Sequence, residues 1–215
     1  MSSKELALQQ LISTLSDIET WQPYELKFFG SSTRAIPFFG EVNASTAQVL
    51  ISHLLHLSEE DAESPITIWL NTQGGSFTDG LAIYDCIKNI SSPVIVYATG
   101  ICASAGLIIL SAADYRMASQ SCVFYYHEPI IQDSAINSLK DMNQLRDYYE
   151  YSKRKMTTIL KERSEINHNL WKKSFEGKTS YYFDSEKALK YNFIDKISES
   201  AKVDFKIESD ESENE

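Results

Sequence analysis

The stretch Val94-Ile95-Val96-Tyr97-Ala98-Thr99-Gly100-Ile101-Cys102-Ala103-Ser104-Ala105-Gly106-Leu107-Ile108-Ile109-Leu110 joins two apolar runs through mostly small residues, with one serine near the junction. A short β-branched run followed by a continuous apolar run reads as a strand feeding a buried helix. At a helix start the first N–H groups are unpaired and the dipole is positive, so developing negative charge is favoured there. Ser104 therefore has two readings: a small capping residue, a role Ser often fills, or a nucleophile beside a ready anion site. A histidine ending another apolar run, in Tyr126-His127-Glu128-Pro129, shifts the balance toward chemistry.

Working outward, strand-like runs begin at Ile36, Ile66, Val94 and Cys122, so they recur every 28 to 30 residues. Between the first three lie helical patterns: Val49, Leu50, Leu54 and Leu57 within one, and Leu81, Tyr84, Ile87 and Ile90 within the next. A shorter helix follows Ser104. This alternation predicts stacked β-α units with largely parallel strands, an α/β fold. Beyond His127, the residues Leu139, Met142, Leu145, Tyr149, Ser152, Met156 and Ile159 are spaced by three or four. One long helix from Ser138 to Arg163 is expected, which either lies across its own domain or outruns that core and offers its stripe to another subunit. A short helix over Asp184 to Asn192 and a last strand over Phe193 to Ile197 complete the chain's pattern.

With 215 residues and 43% hydrophobic content, the chain suits a single core. Its net charge of -10 argues against nucleic acid and anionic membranes as partners, since a phosphate-binding face needs clustered Lys and Arg. Three cysteines, Cys86, Cys102 and Cys122, lack metal-ligand spacing and sit in apolar contexts. They read as free thiols of a reducing compartment. Residues Met1 to Asp17 have no signal-peptide core, and no apolar run approaches the ~18 residues of a membrane helix, so a cytoplasmic protein is expected. His53, His56 and His168 have no ligand-spaced partners, and neither metal nor cofactor is expected.

The segment Asn71-Thr72-Gln73-Gly74-Gly75-Ser76 follows the second strand. Adjacent glycines let the backbone turn tightly and expose N–H groups. They read either as an oxyanion donor with an edge for a peptide, or as an ordinary β-α turn. A phosphate loop is excluded by the lack of Gly-Lys-Ser/Thr.

Taken in order, Thr72-Gln73-Gly74-Gly75-Ser76-Phe77-Thr78-Asp79-Gly80-Leu81-Ala82-Ile83-Tyr84-Asp85, then Gly100 to Gly106, then Tyr126-His127-Glu128-Pro129 resemble the proteolytic subunit family of the Clp protease. The resemblance runs from about Leu26 to about Ile197. It implies a crotonase-like, ClpP-like fold of repeated β-β-α units with a protruding handle helix, over residues 26–200. It implies a serine endopeptidase acting on unfolded polypeptides, with Ser104 as nucleophile and His127 as general base. The family's oxyanion donors map onto the N–H groups of Gly75 and Ala105, and Gly74 and Ser76 onto the substrate edge. A homo-oligomeric ring, a heptamer or stacked rings, is implied too. Residues 1–25 do not resemble the family's axial loop, so the resemblance leaves an AAA+ unfoldase partner open. The acidic stretch 201–215 reads as a disordered tail.

The third triad position departs from the family. Counting back eight residues from Ala188, the family's Asp maps onto Ser180. A hydroxyl there orients an imidazole without stabilising its charge. Asp184 and Glu176, four residues to either side, are the alternative carboxylates, although Asp184 also suits the cap of the helix beginning at Ser185. The resemblance therefore implies either a slow peptidase or a catalytically impaired structural or regulatory ring subunit. A crotonase-type acyl-CoA enzyme would share the fold but needs no Ser-His pair.

Overall fold

The computed structural model of the chain describes residues 34–130, 138–164, 171 and 180–198. The expected N-terminal segment 1–25, the acidic tail and Glu176 lie outside the described residues. Within them the elements run β1 (Ala35–Val42), α1 (Ala44–Glu60), β2 (Ile66–Gly75), α2 (Phe77–Asn89), β3 (Val94–Ala103) and α3 (Ala105–Ala112). Next come β4 (Tyr115–Ser119), β5 (Val123–His127), α4 (Leu139–Ser164), β6 (Ser180–Asp184), α5 (Ser185–Lys190) and β7 (Lys196–Ser198). Strands β1, β2, β3, β4 and β7 lie side by side and parallel. Strand β5 pairs in parallel with the end of β3 and antiparallel with β6.

The repeated β-β-α pattern takes the form of long strands that shift in the middle. Register slips between Phe39 and Glu41 on β1 and between Leu70 and Thr72 on β2. On β3 the break decides the topology, since Ile95 to Ala98 pair with β4 while Ile101 to Ala103 pair with β5. Gly100 sits between the two halves at φ +65°, and a Cβ there would lie 2.8 Å from Asn71 Oδ1. That oxygen accepts the Ile101 N–H at 3.1 Å, so the bend needs both a glycine and a side-chain acceptor. The consequence is functional: the split turns the end of β3 onto β5, the strand that ends at His127, while the Gly pair stays against β1.

Helix α1 begins with a capping box, Asn43 Oδ1 accepting from Thr46 N–H at 3.1 Å and Thr46 Oγ1 from Asn43 N–H at 3.0 Å. It buries Ala47, Leu50 and Leu54, each leucine contributing about 1.5–3 kcal/mol. Val49, expected on that stripe, is 57% exposed. All eight residues of α3 are buried, so its apolar run marks a central helix rather than an amphipathic one. In α4 the buried residues are Ser152, Met156, Ile159, Leu160 and Ser164, whereas Leu139 and Met142 are exposed. The helix docks through its C-terminal half, and its N-terminal half carries an uncovered apolar stripe, as its length predicts.

Two strands depart from the sequence reading. Strand β4, which that reading lacks, buries Arg116 at an inward position, and a charged residue there masks the alternation. The last strand is Lys196–Ser198; Phe193 and Ile194 are buried ahead of it, Phe193 donating its N–H to the Ala188 carbonyl at 2.8 Å.

Arg116 is held by Asp195 through Nε at 3.0 Å and Nη2 at 2.6 Å, and its Nη1 donates to the Asn192 carbonyl at 2.6 Å. This fork ties β4 to the segment leading into β7. Arg116 is buried and Asp195 partly exposed, so Asp195→Ala strands a desolvated guanidinium and is expected to cost about 2 kcal/mol, lowering the thermal midpoint by roughly 4–8 °C. A melt unchanged within 2 °C, about the least that a single kcal/mol would produce, would contradict this account.

Candidate active site

Ser104 closes β3 and opens α3, and its backbone is held at φ 53°, ψ -118°. This is the conformation glycine takes at the first central position of a type II′ turn, and in a serine it stores on the order of 1–3 kcal/mol. The surroundings enforce it. Ser104 N–H donates to the Tyr125 carbonyl at 2.9 Å, its own carbonyl accepts from Leu107 N–H at 3.0 Å, and Gly74 packs directly behind it. A Cβ on Gly74 would stand 2.6 Å from Ser104 Cβ and 2.8 Å from the Ala103 carbonyl oxygen. Gly106 likewise admits Thr72 Cγ2 at 2.6 Å from where its Cβ would be. The serine hydroxyl makes no capping bond. A strained strand-to-helix turn whose serine leaves its hydroxyl unused is the geometry of a nucleophile elbow.

Ser104 opens on a cavity of about 440 Å³ that also takes in Ala105, Gly75, Ser76 and His127. Ile108, Pro129, Ile130 and Met156 supply apolar wall, and Tyr148, Tyr149 and Ser152 bring α4 to its rim. Ala105 is the first residue of α3, where N–H groups have no partner in the helix. Gly75 has φ +142°, and a Cβ there would collide with the Val42 carbonyl oxygen. Ser76 lines the cavity while serving the fold: its hydroxyl accepts from Asp79 N–H at 3.3 Å as the cap of α2, and its N–H donates to the Val42 carbonyl at 2.7 Å.

His127 ends β5, and its Nδ1 lies 2.6 Å from the Glu128 carbonyl oxygen. A carbonyl only accepts, so the contact places the proton on Nδ1 and leaves Nε2 as the basic nitrogen. Among the described residues no hydrogen bond joins His127 to Ser104 or to Ser180. Antiparallel register nevertheless sets Ser180 directly opposite His127, at the exposed start of β6. Asp184 pairs instead with Val123, at the other end of the ladder, and its Oδ1 accepts from Lys187 N–H at 2.8 Å as the cap of α5. Four residues of strand separate it from His127, roughly 13 Å.

The sequence reading missed Asn71, which sets the bend, and the set Glu128, Tyr149 and Lys153 beside His127. Glu128 accepts from the Tyr149 hydroxyl at 2.6 Å and pairs with Lys153 at 2.7 Å. Those two donors hold the Glu128 carboxyl below its ordinary range, while the carboxylate pushes the Tyr149 phenol up to about 12. Burial raises the Cys122 thiol to about 12 and that of Cys102 well above the usual value, so neither is a thiolate nucleophile. His53 and His56 are exposed on α1. Among the described residues no group of three His, Cys, Asp or Glu side chains is placed to hold a metal ion, and no helix is long and apolar enough to cross a membrane.

The fold is an α/β protein in which one cavity takes in a serine on a strained turn and a histidine at a strand end. The Clp protease family model matches residues 26–201. The chain is 33% identical over 175 residues to the ATP-dependent Clp protease proteolytic subunit 3 of Synechococcus sp. (strain CC9902), covering 75% of this chain and 81% of that one. It is 30% identical over 172 residues to the proteolytic subunit 2 of Prochlorococcus marinus (strain NATL2A), with coverage of 75% and 81%. A solved structure of a ClpP1 mutant from Listeria monocytogenes superposes with a TM-score of 0.69 at 25% identity, covering 78% of this chain and 92% of that one. The chain belongs to the Clp protease family and has the ClpP fold.

Proposed function

We propose that the chain is a serine-type endopeptidase subunit hydrolysing peptide bonds of unfolded polypeptides by a Ser-His mechanism with a degenerate third position. The observation that carries this is Ser104, held at positive φ with its hydroxyl unused for capping, in one cavity with His127. In this reading Ser104 Oγ attacks the scissile carbonyl and His127 Nε2 takes its proton. The N–H groups of Gly75 and Ala105 stabilise the oxyanion, and the backbone of Gly74 to Ser76 aligns the substrate. His127 then protonates the leaving amine, and water, deprotonated by the same nitrogen, releases the acyl group. The apolar wall at Ile108, Ile130 and Met156 suits an apolar side chain beside the scissile bond.

A second reading, a catalytically impaired structural or regulatory ring subunit, draws on the lack of a Ser104–His127 hydrogen bond and on the neutral oxygen facing Nδ1. Fluorophosphonate separates the two. The peptidase reading expects covalent labelling of Ser104, found by peptide mass mapping; no labelling at any assembly state would favour the impaired subunit.

The working form in this reading is a homo-oligomeric ring, and the relatives' designation as ATP-dependent makes an AAA+ unfoldase the partner to test. The free thiols Cys86, Cys102 and Cys122 suit a reducing compartment such as the cytoplasm. The uncovered stripe on α4 is the expected contact between subunits. Met142→Glu with Leu145→Glu should therefore shift the particle to smaller species in light scattering and reduce cleavage at least tenfold, each desolvated charge costing more than 1.4 kcal/mol. A monomeric unmutated protein would remove this part of the reading.

A further inference from the structure

Beside the cavity, and reaching its lining through Tyr149, stands a polar constellation that the Ser104–His127 mechanism does not use. Glu128 stands at its centre. Its Oε2 accepts from the Tyr149 hydroxyl at 2.6 Å, its Oε1 meets Lys153 Nζ at 2.7 Å, and its main-chain oxygen lies 2.6 Å from His127 Nδ1. Tyr149 and Lys153 are one turn apart on α4, so both reach the same side of the helix. One residue thus joins the end of β5 to α4 through its side chain and to the His127 ring through its backbone.

We infer that Glu128, Tyr149 and Lys153 are positioning residues that hold the Glu128 peptide in place, so that its carbonyl selects the Nδ1–H tautomer of His127 and keeps Nε2 as the proton acceptor. The inference rests on reading His127 as the general base. It assigns to a main-chain oxygen the orienting duty for which the sequence offers Ser180, with Asp184 and Glu176 as alternatives. Fixed by two charge-assisted contacts, that oxygen is held against ring rotation. Being neutral, it orients the imidazole without stabilising the imidazolium. The carboxylate is kept ionised and the phenol protonated through the neutral range, so both contacts persist where a histidine base works. Through Glu128 the same residues link α4 to the base.

The test uses the full chain labelled with ¹⁵N-histidine and carrying Ser104→Ala, so that the readout is independent of turnover. The His127 resonances are identified by their loss on His127→Gln, and solid-state ¹⁵N shifts report the tautomer. The expected result is an Nδ1–H ring that moves toward the Nε2–H form in Glu128→Ala and in Tyr149→Phe with Lys153→Met. Glu128→Gln, which keeps an acceptor, should restore part of the Nδ1–H population. With Ser104 intact, the first two variants should react about ten- to a hundredfold more slowly with fluorophosphonate, as expected for a misplaced base, while KM for a short peptide changes little. Tyr149→Phe alone, lacking a single hydroxyl, serves if Glu128→Ala fails to fold. An unchanged tautomer and unchanged labelling in folded variants of normal assembly would overturn the inference. If the tautomer responds but the unmutated protein never labels, the positioning role stands and the peptidase reading falls. The reverse pattern keeps the peptidase and removes the positioning role.

Discussion

Replacing Ser104 with alanine is expected to abolish peptide cleavage, and His127→Ala to do nearly the same. Loss of the nucleophile or of its base in a Ser-His hydrolase costs on the order of 10⁶-fold, and the observed drop is limited only by the unmutated rate. The two residues act as a unit, since a hydroxyl without a base is no better than no hydroxyl. The Ser104→Ala, His127→Ala double variant should therefore be no slower than either single one. Initial rates on a fluorogenic peptide decide the matter. Persisting hydrolysis in Ser104→Ala would sink the assignment, and additive losses would mean that the two residues serve separate functions. Neither change should unfold the protein, because Ser104 contributes its backbone, and not its hydroxyl, to the turn.

That division between backbone and side chain also explains what the sequence could and could not disclose. The run from Val94 to Leu110 announced a strand, a serine and a buried helix, because apolar continuity and small residues are local properties. The bend at Gly100 was not legible. It depends on Asn71, a residue 29 positions earlier whose amide oxygen becomes an acceptor only once β2 and β3 are paired. Strand β4 was hidden for a related reason: Arg116 looks like a surface residue until Asp195 arrives from far along the chain to neutralise it. The Tyr181-Tyr182-Phe183 run belongs to a strand whose ladder to β5 sets Ser180 opposite His127, a pairing no local pattern announces. Ser104, His127 and the Gly pair were visible because their residue types are unusual for their local pattern. Glu128 was not, because a glutamate after a histidine has no local signature, and its partners lie 21 and 25 residues on.

Restoring a carboxylate at position 180 is the change expected to raise activity. In the antiparallel ladder, side chains of directly opposed residues are about 5 Å apart at Cβ, within reach of an aspartate on the neighbouring ring. The Glu128 carbonyl now facing Nδ1 orients the imidazole but supplies no charge. Ser180→Asp offers both, so the imidazolium formed as Ser104 loses its proton is stabilised. Neutralising such a carboxylate in another Ser-His-Asp enzyme costs about 10⁴ in kcat, which bounds the gain from above; tenfold or more is expected here, because the new carboxylate competes with the Glu128 carbonyl for Nδ1. The gain should appear in kcat and in the fluorophosphonate labelling rate. Asp184→Asn is the matched control. Asn caps a helix about as well as Asp, and position 184 lies at the far end of β6, so neither rate nor stability should change appreciably. Loss of activity in Asp184→Asn with no gain in Ser180→Asp would make Asp184 the third member through a rearranged β6. If Ser180→Asp neither labels nor cleaves, the missing charge is not what limits the site, and the impaired ring subunit becomes the better description of the chain.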